Sequence, residues 1–241
     1  MPKINKLTWN GTASDTLGVF ISGTGVWDAP ELDVTAYEIP GRNGDLLIPN
    51  NRYKNIEITY PCFTPDSFST RAQSIKNWLR SSNTYQKLTD TYDTTHYREA
   101  IPTGLLTFEP VGSNRGANFQ IVFNAKPQRF LNTGDTFYIL TTGDVKDNPT
   151  QYNALPLFYC AGFTSSATLS VTNSLGTFTL TATSARSYGT YIDCSTQNVY
   201  YSATNLNDKF TGTFPVLAPG NNTFTFSGFT SLQFKGRWWE L

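Results

Sequence analysis

A single histidine, His96, would have to serve any charge-relay or cysteine-protease-type site in this 241-residue chain. It sits in Asp93-Thr94-Thr95-His96-Tyr97-Arg98. A catalytic imidazole needs a nucleophile brought to it and a group that orients it, and no nucleophile-elbow motif accompanies this segment. His96 therefore reads as a surface or hairpin residue. Cys62, Cys160 and Cys194 form no CxxC pair, and zinc needs several His or Cys ligands at short spacing. Their odd number argues against a disulfide framework, so they read as small buried hydrophobes, with Cys160 and Cys194 as candidates for neighbouring strands. Asp90-Thr91-Tyr92-Asp93 opens like a calcium loop but lacks the later glycine and glutamate. Gly23-Thr24-Gly25 has no third glycine, and no GKS or GKT follows a glycine-rich stretch, which removes the nucleotide-binding signatures. None of the 18 acidic residues falls in a recognisable catalytic strand motif. The expectation is a protein with no catalytic residues, no cofactor and no metal.

Aromatic side chains are the remaining site-formers. Trp238 and Trp239 are adjacent near the C-terminus. Neighbours in a strand face opposite ways, so one fills a core and the other meets solvent, another domain or a partner. Tyr188, Tyr191, Tyr200 and Tyr201 admit the same readings. Trp238, Trp239 and Tyr200 are the candidate interface aromatics, and a sugar platform is the competing reading.

These residues must be positioned mainly by strands. Phe119, Ile121 and Phe123 alternate with polar residues, as do Leu169 and Val171, Phe178 and Leu180, and Phe224 and Phe226. That is the period of a strand with one buried face. Turn clusters at Asn173–Gly176, Asn205–Asp208 and Pro219–Asn222 punctuate short strands, as in a sandwich or barrel. One segment breaks the pattern. Phe68, Ala72, Ile75 and Leu79 recur at helical spacing, with Asp66, Ser67 or Ser69 as candidate caps and Arg80 near the negative end; this predicts the one long helix, its apolar stripe lying on a sheet. Ile39-Pro40-Gly41-Arg42-Asn43-Gly44 predicts a hairpin turning on Asn43-Gly44, the dipeptide that tolerates positive φ at both positions.

Composition narrows the class. Lys+Arg and Asp+Glu are 18 each, for a formal net charge of zero. That argues against a protein built to neutralise phosphates or to dock on an anionic membrane. Charged residues are 15% and aromatics 15%, against roughly 25% charged in average domains; such a chain folds, and suits faces covered by partner subunits. The segment Met1–Leu7 lacks the apolar run of a secretory signal, so folding in a cytoplasm is expected. After Tyr152 the only charged residues are Arg186, Asp193, Asp208, Lys209, Lys235, Arg237 and Glu240. This shift predicts two domains, 1–135 with the helix and 136–241 all-β, with the last few residues as candidates to return to the first.

The ordered motifs resemble the distal tail protein of siphophages, the phages with long non-contractile tails. The resemblance rests on the turn Pro40-Gly41-Arg42-Asn43-Gly44, Asn124–Phe130, Asn148–Leu157, Tyr191-Ile192-Asp193-Cys194 with Asn198-Val199-Tyr200, Phe214–Asn222 and the terminal Arg237-Trp238-Trp239; it spans most of the chain. Asn43 stands where many relatives carry Asp, and both suit a turn. The resemblance implies a mainly β fold: an N-terminal β-sandwich-like domain with one helix and an extended hairpin, then a galectin-like or carbohydrate-module-like β-sandwich. It implies a structural virion protein whose copies, six in number, close into a ring at the tail tip, Pro40 to Gly44 marking the inter-subunit hairpin. Its implied partners are the tail tube protein, a tail-associated fibre or lysin protein and receptor-binding or baseplate proteins, with assembly in the host cytoplasm and a Gram-positive host. DNA would pass through the lumen without tight binding. The rival reading is a carbohydrate-binding module for cell-wall glycans.

Overall fold

The computed structural model describes residues 4–241; Met1–Lys3 of the opening segment lie outside the described residues. The chain divides into two compact units, one running to Arg129 and taking in Leu241, the other spanning Phe130–Glu240. It is mainly β throughout.

The first unit contains β1 (Leu7–Trp9), β2 (Thr12–Ala13), β3 (Phe20–Ile21), β4 (Leu32–Tyr37), β5 (Leu46–Tyr53), β6 (Ile56–Thr64), α1 (Phe68–Leu79), β7 (Gln86–Asp90), β8 (His96–Pro102), β9 (Phe108–Val111) and β10 (Gly116–Ala125). Antiparallel hydrogen bonding runs unbroken in the order β2-β1-β7-β8-β10-β6-β3, with β9 also on β10. The period-two pattern does what it predicts: Phe119, Ile121 and Phe123 point inward from β10 and pair with Cys62, Tyr60 and Ile58 of β6. Burying each large apolar side chain contributes about 1.5–3 kcal/mol. Trp9 sits at the centre, its ring 6.4 Å from Trp78 and 6.2 Å from Phe123. Its Nε1 donates to the Ala100 carbonyl at 2.9 Å, so the indole is buried without an orphaned donor.

Helix α1 buries Phe68, Ile75, Trp78 and Leu79. The apolar stripe is the expected one widened by Trp78, while Ala72 is only half-buried. Two details differ from expectation. Ser67 occupies the N-cap position but makes no side-chain cap bond, because its backbone is left-handed (φ 53°). The Arg80 guanidinium leaves its own helix and donates to the carbonyls of Pro102 and Gly104 at 2.7 and 2.9 Å, tying the helix end to the strand after which the chain turns.

The second unit contains β11 (Arg129–Leu131), β12 (Tyr138–Ile139), β13 (Val145–Asn148), β14 (Leu157–Cys160), β15 (Phe163–Asn173), β16 (Gly176–Ala182), β17 (Thr190–Asp193), β18 (Asn198–Tyr201), β19 (Thr204–Asn205), β20 (Phe210–Gly212), β21 (Gly220–Phe229), β22 (Leu232–Lys235) and β23 (Trp239–Glu240). Two antiparallel sheets, β12-β22-β14-β17-β18-β19 and β13-β21-β15-β16-β20, share one apolar core. Phe158 and Phe234 from the first sheet meet Phe224 from the second, with ring centroids 5.1–6.4 Å apart. The outer face of the second sheet is a hydroxyl ladder. Thr168 pairs with Ser227, Ser170 with Thr179 and Thr172 with Thr177, all at 2.9–3.0 Å. Cross-strand Thr and Ser pairs of this kind stabilise a wet sheet face modestly.

Candidate functional site

Among the described residues, strands β4 and β5 pair only with each other. Val34, Thr35, Ala36 and Tyr37 stand opposite Pro49, Ile48, Leu47 and Leu46. Alternation then places Val34, Ala36, Leu47 and Pro49 on one face and Thr35, Tyr37, Leu46 and Ile48 on the other. Both faces are apolar and both are open: Tyr37 is 53% exposed and Leu47 60%. A lone two-stranded ribbon is marginal in water, and contiguous exposed apolar surface marks a place where something else binds. The outer backbone edges of both strands are also unpaired, which is the condition under which another chain adds to a sheet.

The turn differs from the expected one. Residues 38–45 form a loop rather than a two-residue turn on Asn43-Gly44. The tight turn lies at Ile39–Arg42, where the Arg42 amide donates to the Ile39 carbonyl at 3.1 Å. Pro40 occupies its second position and Gly41, with φ 78°, its third, the arrangement of a type II turn. Gly44 also needs positive φ (80°), whereas Asn43 does not adopt it. The dipeptide rule failed because Pro40 fixes φ one step earlier and closes the turn there.

At the other end the ribbon is pinned by a feature with no motif. The register slips between Leu32 and Val34, leaving Asp33 facing Asn50, Asn51 and Arg52. Asn51 absorbs the bulge with φ 53°. Asp33 is buried and accepts from Arg52 Nε at 2.6 Å and Asn50 Nδ2 at 3.1 Å. The hydrogen bond from Arg52, then that from Asn50, hold its carboxyl below the ordinary carboxylate range.

The terminal aromatics split as adjacency requires, and Trp238 proves to be the inward one. It is 6% exposed, packed in the second unit's core with its ring 6.3 Å from Phe234. It is therefore a core residue and not the interface aromatic it was a candidate for. Trp239 is half-buried, stacked on Tyr152 at 4.3 Å with Nε1 donating to the Asn153 carbonyl. Tyr200 is half-buried and stacks on Tyr191 at 5.4 Å. Arg237 grips Asp193 through two bonds, at 2.7 and 3.2 Å. Such a fork fixes direction as well as position, and it sets the approach of Trp238.

His96 belongs to a polar cluster with Asp93, Thr95 and Arg129. Its Nδ1 lies 2.9 Å from Asp93 Oδ2 and 2.8 Å from Thr95 Oγ1, and Arg129 donates to the same Asp93 oxygen at 2.8 Å. Burial works against ionising Asp93, but hydrogen bonds from Thr95 and Arg129 outweigh it and hold the carboxyl well below its usual range. Asp93 thus ties Thr95, His96 and Arg129 into one ion cluster. The cysteines are all buried and free. Burial pushes Cys62 and Cys160 up to about 12 and Cys194 well above its ordinary value, so none supplies a thiolate. Cys160 and Cys194 do flank paired strands, but the register sets Cys160 against Thr190 and Leu157 against Asp193, so the two thiols lie at opposite ends.

No protein-family profile and no curated protein matches the sequence. Solved structures do match, over nearly the whole chain. The SPP1 Dit protein, a hub of the adsorption apparatus of phages that infect Gram-positive bacteria, superposes with a TM-score of 0.69 at 11% identity, covering 96% of this chain and 98% of its own. This is the fold of a phage hub protein. A chain of the phage p2 baseplate in its activated conformation matches with strontium (TM-score 0.60) and with calcium (0.57), each at 10% identity and covering 96% of this chain and 97% of that one. The hub fold thus includes both units and the ribbon between β3 and β6. At such identities the likeness resides in backbone architecture.

Proposed function

We propose that this chain is a non-enzymatic structural subunit of a siphophage tail tip, and that copies of it, six in number, close into a ring through the β4–β5 ribbon. The carrying observation is that ribbon: a two-stranded sheet apolar on both faces and unpaired on both edges, in a chain whose whole length has the hub fold. Laid on a neighbouring copy, it buries its apolar faces and pairs its free backbone groups at once. Pro40, Gly41 and Gly44 shape the loop that leads it; Arg42 and Asn43 are its polar tip.

In this reading the first domain makes the ring and the second, a galectin-like sandwich, projects from it toward receptor-binding or baseplate proteins. The tail tube and a tail-associated fibre or lysin protein flank the ring in the virion. DNA crosses the lumen without being held, since the chain has no net charge with which to bind phosphates. The stand-alone glycan module based on Trp238 and Tyr200 is not favoured, because Trp238 is in the core and Tyr200 is half-buried with one face stacked on Tyr191.

Native mass spectrometry with negative-stain imaging tests the proposal. The expected result is a closed ring of six copies, lost when the 38–45 loop and its flanking strands are replaced by a short linker. A wild-type protein that stays monomeric at high concentration, alone and with the neighbouring tail proteins, overturns it.

A further inference from the structure

The second unit carries a pocket of about 510 Å³, lined in part by the core residue Phe163 and otherwise by residues that include Thr164, Ser184, Arg186, Tyr188, Lys209 and Thr230. Its wall, residues 184–189, is fixed by backbone rather than by side chains. The Arg186 and Phe163 amides each donate to the other's carbonyl at 2.7 Å. A Cβ on Gly162 would stand 2.9 Å from the Arg186 carbonyl oxygen, and one on Gly189 2.9 Å from the Tyr159 hydroxyl, so glycine at both positions is what lets this wall close in.

Within the wall, the Arg186 guanidinium lies 3.9 Å from the Tyr188 ring centroid and 5.2 Å from that of Tyr201, the two rings meeting edge to face at 5.7 Å. The rings hold the cation without supplying an acceptor. Its Nε is buried with no hydrogen-bond partner, and no carboxylate lines the pocket. Lys209, the second cation there, pairs with the exposed Asp208 at 2.9 Å. The sealed Arg186 Nε is itself out of a ligand's reach, but the outer edge of the guanidinium can present a planar pair of donors matched to carboxylate or phosphate. Tyr188 (54% exposed) and Tyr201 (43%) offer open ring surface beside that fork, and the serine and threonine hydroxyls of the lining can donate or accept. A few convergent polar groups beside aromatic surface form a ligand site rather than a packing defect.

We propose that this pocket binds an anionic sugar: its carboxylate or phosphate on the Arg186 fork, its ring against Tyr188, its hydroxyls on Thr164, Ser184 and Thr230. Carboxylate and phosphate are the same chemistry to Arg186, so the probes separate them. The site is complete within one copy and does not depend on ring formation.

The test is a chemical-shift titration of the full-length protein with glucuronic acid, glucose 6-phosphate, glucose and inorganic phosphate. At least one acidic sugar should bind about tenfold more tightly than glucose and than inorganic phosphate, and the tighter of the two identifies the acid. Arg186→Gln should abolish that advantage, Arg186→Lys should restore only part of it because the fork is gone, and Tyr188→Ala should weaken the acidic sugars. A salt titration on the wild-type protein serves without any substitution: the acidic sugars should weaken with salt and glucose should not. Glucose or inorganic phosphate binding as tightly as the tighter acidic sugar, no binding by any probe, or affinities indifferent to both salt and Arg186→Gln would each overturn the assignment.

Discussion

The Asp33 carboxylate accepts from Arg52 Nε at 2.6 Å and from Asn50 Nδ2 at 3.1 Å, and so spans a bulge that sets the register of the whole β4–β5 ribbon. The Arg52 side chain is 74% exposed. An ion pair this open adds little stability by itself; its effect is geometric. A slip of one residue would exchange the ribbon's two faces.

Removing the acceptor should therefore uncouple assembly from folding. Asp33→Ala is expected to leave the melting temperature of the isolated chain near wild type while lowering the yield of ring several-fold in native mass spectra. Because the folded carboxyl is held below its usual value, the clamp is present above the unfolded value of about 3.9 and is lost as pH falls through the lower folded one. Limited proteolysis within residues 38–45 should accordingly be slow at neutral pH and accelerate only below about pH 4. Acceleration already at pH 6 would contradict the clamp.

Gly44 gives a cleaner separation. Its φ is 80° and a Cβ there would meet nothing within 4 Å, so a substitution suffers only from the backbone angle. Gly44→Val should cost about 1–2 kcal/mol locally, in a loop whose residues are all exposed. Ring formation, read by light scattering, should fall far more than thermal stability. An equal loss of both would show that the loop belongs to the fold and not to the interface.

Trp238 and Trp239 should behave as different residues despite adjacency. Trp238→Ala empties a core site and should destabilise by about 3–5 kcal/mol in urea. Trp239→Ala forfeits one stack and one hydrogen bond and should cost about 1–2 kcal/mol. Gly236→Ala should approach the Trp238 result, since its Cβ would lie 2.2 Å from the indole.

Asp93 should act through pH in the same sense as Asp33, but on the fold. Its folded value is depressed, so its contribution holds above the unfolded value near 3.9 and disappears as pH falls through the folded one. Asp93→Asn is expected to cost about 1–2 kcal/mol at pH 7, allowing for solvent at the cluster. That difference should shrink toward zero in strong acid, as followed by denaturant titration at a series of pH values.

The three thiols should be silent in the native state. With Cys62 and Cys160 pushed up to about 12 and all three side chains buried, a disulfide-exchange reagent at pH 8 should detect no thiol until urea is added, and then three.

How much of this the sequence shows depends on how local the cause is. The strand faces around Phe119–Phe123 and Leu169–Val171 were legible because alternation is a property of neighbours, and α1 was legible from Phe68, Ile75 and Leu79 for the same reason at a different period. The turn was misplaced within its own hexapeptide, since two turn-forming pairs compete there and only backbone geometry shows that Pro40-Gly41 closes first. Leu46, Leu47 and Ile48 look like core residues by composition; nothing local says that their strand finds only β4 to pair with. The Asp33 clamp was invisible because it exists only across a bulge that brings together positions 17 and 19 residues apart. Arg186 lacked any signal, as its meaning lies in acceptors that the fold fails to bring near it.

A solitary ribbon with two bare edges has a kinetic consequence as well as a structural one. In the proposed ring, an arc of joined copies would always end in one ribbon still uncovered and would keep recruiting, whereas a full circle would have no such end. Growth then halts by geometry alone, and partial circles should be short-lived species that vanish as soon as enough subunits are present.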